Sequence, residues 1–119
     1  MRGGVAQVFL AQALFRQPRV LLLGEPTAAL DLRHLLLVLE RLRLIASQNG
    51  TIIGMAMHDL NFAAQYSDHV LGLDGGRKIA SGAPAKVLTP ETLRIMYRIE
   101  AQVPQDAGSP QQILPLRAI

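Results

Sequence analysis

The sequence predicts an α/β fold: a partial sheet of mainly parallel strands, flanking helices and a C-terminal hairpin. Three observations carry that expectation. Val20-Leu21-Leu22-Leu23 is an unbroken apolar run delivered into Gly24-Glu25-Pro26, the pattern of a strand covered on both faces. A second run, Thr51 to Met57, is β-branched at its start. Between them, Leu35, Leu36, Val38, Leu39, Leu42 and Ile45 form an apolar stripe, with Arg33, Glu40, Arg41 and Arg43 partly opposite. That spacing predicts a helix over Leu32 to Gln48 that covers one face of the sheet.

Composition narrows the class. The chain has 119 residues, half of them hydrophobic and 18% charged, and no cysteine. Such a chain builds one core and is not a disordered segment. Disulfide frameworks and thiolate metal sites are excluded, in keeping with a reducing compartment. The net charge of +3 is spread along the chain without interleaved aromatics, so nothing points to nucleic acid. No apolar run reaches the ~18 residues of a membrane span, and residues 1–20 lack a signal-peptide pattern. The expectation is a cytoplasmic protein, free to dock on a membrane partner.

In chain order, Gly3-Gly4 precedes apolar residues at Val5, Val8, Phe9, Ala13 and Leu14, which predicts a helix from about Gly4 to Arg16, ended by Pro18. Glycines at a helix start let backbone N–H groups approach an anion, although the pair is also what a plain N-terminal turn would carry. The string Gly24 to Asp31 is, on composition alone, an ordinary strand running into a turn; read as a site, it places the carboxylate of Glu25 at the C-terminal edge of the sheet, where α/β folds bind ligands. Asp31 suits an N-cap and Asn49-Gly50 a helix stop. After His58-Asp59-Leu60, Asp68 to Asp74 predicts a strand, Gly75-Gly76 a tight turn and Arg77 to Ser81 its hairpin partner. Pro84 to Leu88 predicts a helical turn, and Thr89-Pro90-Glu91 caps a last helix reaching about Arg98. From Gln102 to Ile119, prolines among Gln, Gly and Ser predict a mobile tail. A sheet built this way has three core strands and a hairpin strand, with edges and one apolar face open and poor stability alone.

Three of these stretches, in this order and at this spacing, resemble the ATP-binding-cassette (ABC) ATPases. Gly3, Gly4 and Gln7 match the family's signature motif, Leu-Ser-Gly-Gly-x-x-Gln, which opens a helix leading to the Walker B strand. Val20 to Asp31 resembles that strand and the D-loop, with Glu25-Pro26-Thr27 and Ala29-Leu30-Asp31 matching. Met57-His58-Asp59-Leu60 resembles the segment of the switch histidine. The helix after it, the hairpin and Val87-Leu88-Thr89-Pro90-Glu91 are similar to the nucleotide-binding subunits of iron-siderophore, haem and cobalamin importers.

The resemblance covers residues 1 to about 101, the second half of a family domain, leaving 102–119 as the tail. It implies a subunit in which two copies sandwich two ATP molecules and drive an integral-membrane permease from the cytoplasmic side of the membrane. The implied roles are contact with the partner subunit's nucleotide for Gly3, Gly4 and Gln7, activation of the attacking water for Glu25, a dimer contact for Asp31, and the γ-phosphate for His58. ATP and Mg2+ are the implied cofactors, with no metal held by side chains of this chain itself.

The sequence departs from the family in three ways. No Gly-x-x-x-x-Gly-Lys-Ser/Thr occurs in the 119 residues, and the family's phosphate loop, adenine-stacking aromatic and glutamine loop would lie upstream of Met1. Gly24 stands where the family has the Asp that holds magnesium through water. Arg2 stands in the place of the signature serine, its charge attracting a phosphate and its bulk opposing close approach. The expectation is a remnant of an ATPase site, inactive alone; the alternative is a non-catalytic protein that binds an ABC partner subunit or permease.

Overall fold

Strand β1, Val20–Leu23, pairs in parallel with β2, Ile52–Met55, in the register Val20 to Ile52 through Leu23 to Met55. The link between them includes helix α1, Leu32–Asn49, as a parallel pair requires a long crossover. The computed structural model describes residues 18–24, 31–104 and 111–119. The chain divides into two units, residues 1–57 and 58–119. The helix expected over residues 4–16 lies outside the described residues.

In the first unit, α1 buries Val38, Leu39 and Leu42, each at 2% exposure or less, the same stripe that predicts the helix. Gly50 closes it in the left-handed region at φ 66°, a conformation that carries little cost without a Cβ. The ladder is extended by Ile52 N–H donating to Arg19 C=O (2.9 Å) and Ala56 N–H donating to Leu23 C=O (3.2 Å). Buried Thr51 donates its hydroxyl to Pro18 C=O at 3.1 Å. Val20, Leu22 and Ile52 of this pair are 54%, 80% and 68% exposed among the described residues.

The second unit opens with α2, Leu60–Tyr66. Strands β3, Val70–Asp74, and β4, Arg77–Gly82, form an antiparallel hairpin with a bulge between Gly72 and Leu73. Its turn holds Gly75 and Gly76 at φ 56° and 76°, the double positive-φ geometry that matches strand twist in a two-residue loop. A single turn, α3, Pro84–Val87, leads to α4, Pro90–Tyr97. Thr89 caps α4 by accepting from Thr92 N–H at 3.2 Å.

The expected α/β class stands; its sheets and its C-terminal residues differ from the expectation in detail. Among the described residues the strands make three two-stranded sheets, and β1–β2 is the one parallel pair: β3 closes on its neighbour in sequence, where a glycine turn makes pairing local. The expected tail also contains structure. Strand β5, Ile99–Gln102, pairs antiparallel with β6, Leu114–Ala118, with Glu100 opposite Arg117 and their side chains 2.7 Å apart. Ile113, 2% exposed, joins Leu88 and Leu93 in the core of this unit, with Leu60, Ala64, Val70, Ile99, Ala101 and Val103 packed around them. The prolines that suggest a mobile segment are compatible with a short edge strand.

Candidate functional site

Of the residues singled out for chemistry, Asp31 and His58 are described, as is Gly24 beside Glu25. Gly3, Gly4, Gln7 and Glu25 lie outside the described residues. Asp31 belongs to the first unit and His58 opens the second.

Gly24 follows the last residue of β1, at the C-terminal edge of the parallel pair. Among the described residues nothing stands within 4 Å of where its Cβ would be, and its φ is not positive. The backbone therefore makes no demand for glycine here. What the substitution removes is chemical, a side-chain oxygen at the strand end.

Asp31 has extended backbone and caps α1. Its Oδ1 accepts from His34 N–H at 2.9 Å, and His34 Nδ1 lies 2.7 Å from the same oxygen. A carboxylate can only accept, so Nδ1 carries the proton of that bond. The backbone hydrogen bond from His34, reinforced by its ring and by the charge of Arg33, holds the Asp31 carboxyl below its ordinary value of 3.8. It is thus ionised, oriented and exposed at the N-terminus of the helix.

His58 is exposed and directly precedes Asp59, the cap of α2. Asp59 Oδ1 accepts from Asn61 N–H and Phe62 N–H, both at 3.1 Å. Helix α2 has only seven residues, too short to persist without caps and packing. Among the described residues, no three His, Asp or Glu side chains gather as a metal site.

No family model matches the chain. The achromobactin transport ATP-binding protein CbrD of Dickeya dadantii is 36% identical over 107 residues, 89% of this chain and 40% of that protein. The cobalamin import ATP-binding protein BtuD of Halobacterium salinarum is 41% identical over 110 residues, 92% of this chain and 28% of the relative. The hemin import ATP-binding protein HmuV of Bordetella avium is 43% identical over 96 residues, 78% and 37% of the two chains. A solved inward-facing conformation of a metal-chelate type ABC transporter matches 96% of this chain with a TM-score of 0.80 at 29% identity. The chain belongs to the ABC transporter ATP-binding subunits. It spans less than half the length of these curated relatives and 46% of the solved chain.

The fold of this ABC chain is accordingly the P-loop NTPase-like α/β class. No helix among its described residues is long and apolar enough to cross a membrane. Sequence reasoning passed over two residues beside the candidate site. His34, three positions after the cap, is where a side chain returns to an N-cap carboxylate, so spacing alone marks it. Asn61 had no such signal, because its side-chain partner Ile113 is 52 residues away.

Proposed function

We propose that this ABC chain is the signature-to-switch-histidine part of the ATP-binding subunit of an importer for iron-siderophore, haem or cobalamin. In that subunit ATP hydrolysis would drive transport through a membrane permease. The observation that carries the reading is the ordered set Gly3-Gly4-Gln7, Glu25 to Asp31, and His58-Asp59, in a chain whose relatives bear importer names. Gly3, Gly4 and Gln7 would face the nucleotide held by a second ATPase subunit, Glu25 would activate the attacking water, and His58 would meet the γ-phosphate. Asp31 would contact the second subunit; its ionised carboxylate, fixed by the cap, supports that role. The subunit would sit on the cytoplasmic side of the membrane, against its permease.

ATP and Mg2+ serve the family, but the described donor set does not fit the ion. Gly24 offers a backbone carbonyl where the family has a carboxylate, and among the described residues no acidic cluster replaces it. Gly24 favours a second reading, a non-catalytic protein that docks on an ABC partner subunit or permease.

Titration of Mg-ATP into the purified chain, with thermal unfolding followed in parallel, tests the first reading. A midpoint that rises with nucleotide supports direct ATP contact, since a ligand of the native state stabilises it by mass action. An unchanged midpoint with no turnover fits a part that needs the rest of its subunit as well as a docking protein, and capture of an ABC partner subunit or permease by the chain then supports docking.

A further inference from the structure

The second unit ties Ile113, the residue before its last strand, to the first turn of α2, three residues after His58. Asn61 Oδ1 accepts from Ile113 N–H at 2.7 Å, and Asn61 Nδ2 donates to Ile113 C=O at 3.3 Å. One amide side chain thus satisfies both backbone groups of a residue 52 positions away, and this pairing sets which end of the amide is oxygen. Ile113 is almost fully buried against Leu88 and Leu93, so its backbone is a fixed anchor. The same Asn61 donates its own N–H to Asp59 Oδ1, and Asp59 follows His58 directly. A second tie lies beside the first: buried Gln111 donates Nε2–H to Leu88 C=O at 3.1 Å.

The direction of the coupling follows from relative strengths. Helix α2 cannot hold its first turn by helical propensity alone. Its register rests on the Asp59 cap, on buried Ala63, on Leu60 and Ala64 against the core, and on the Asn61 clamp. In the first turn core packing acts through Leu60 alone, and the clamp adds a second, directional hold on that same turn.

We propose that Asn61 is a positioning residue through which the C-terminal segment, Gln111 to Ala118, sets the placement of the switch histidine His58. The functional weight of this rests on the reading of His58 given above; the coupling itself does not. Residues 111–118 are then a working part of the nucleotide-binding unit, and a change in β6 is felt at His58.

Native-state hydrogen exchange on the intact, nucleotide-free chain tests this without a variant. The amides of Asn61, Phe62 and Ile113 should open together, with one dependence on low denaturant, distinct from the α4 amides. Separate opening of Ile113 from Asn61 and Phe62 would overturn the coupling. Asn61→Ala adds a positional readout: the His58 ring resonance should shift, and the amides of residues 61 and 62 should exchange roughly thirtyfold faster, the effect of losing two hydrogen bonds of ordinary net strength. Asn61→Asp, which keeps the acceptor for Ile113 N–H, should restore part of the shift. A His58 resonance unmoved in Asn61→Ala while the Ile113 amide is deprotected would make Asn61 a tail anchor only. Because ATP is absent throughout, this result is independent of whether nucleotide reaches His58.

Discussion

Gly24 and Asp31 show how differently two positions of the first unit are constrained. Nothing within 4 Å opposes a side chain at Gly24 among the described residues, so Gly24→Asp should fold with a stability change within about 0.5 kcal/mol, as for surface substitutions that touch no special feature. Chemical denaturation measures this, and a loss of several kcal/mol would mean that the strand end is closed to a side chain. Asp31 is constrained by charge. Its carboxyl is held below its ordinary value mainly by the His34 backbone bond, then by the His34 ring. A depressed carboxyl stabilises the fold at pH above its unfolded value, near 4, and that contribution fades as pH falls through the lower folded value. Asp31→Asn should therefore flatten the acid limb of α1 melting followed by circular dichroism between about pH 5 and pH 2, leaving the neutral-to-basic limb unaltered in shape.

Among the elements, the β3–β4 hairpin is the most locally determined. Its register depends on Gly75 and Gly76, both at positive φ, where an L side chain meets the following carbonyl. Gly76→Ala should cost about 1–2 kcal/mol for the left-handed conformation, read as a lower denaturation midpoint. A neutral substitution would show that the turn has another conformation within easy reach. Helix α1 is set differently, since Asp31 begins it, Gly50 ends it and Val38, Leu39 and Leu42 anchor it to the first unit. Its solvent face therefore carries few constraints, and Arg41 and Arg43 are exposed there.

For the molecule as a whole, the consequential finding is that the C-terminal residues belong to a core. Ile113 is as buried as Leu88 and Leu93, so Ile113→Ala should destabilise the second unit by about 2–5 kcal/mol, the range for removing a buried aliphatic side chain. Arg117→Ala, which breaks an exposed pair with Glu100, should cost less than about 1 kcal/mol. Equal small effects at both positions would mean that residues 111–119 contribute nothing to the unit. The first sheet has the opposite character. Leu22 and Ile52 are exposed on a parallel strand pair among the described residues, and such strands are ordinarily covered on both faces.

What the sequence determined by itself was local. The period of Leu35 to Ile45 made α1 legible, Asp31, Thr89 and Gly50 marked helix ends, and Gly75-Gly76 marked the hairpin. These signals act within a few residues, so the chain alone states them. The motifs of the candidate site were legible for the same reason, being short strings with characteristic spacing. Strand β6, the burial of Gln111 and Ile113, and the Asn61 clamp were decided only by the tertiary structure. Leu114-Pro115-Leu116-Arg117-Ala118 has no turn signal and contains a proline, so no local preference marks it as a strand. It becomes one because β5 offers unpaired backbone groups, and because the core around Leu88 and Leu93 has a place for Ile113 that closes only when residues distant in sequence meet.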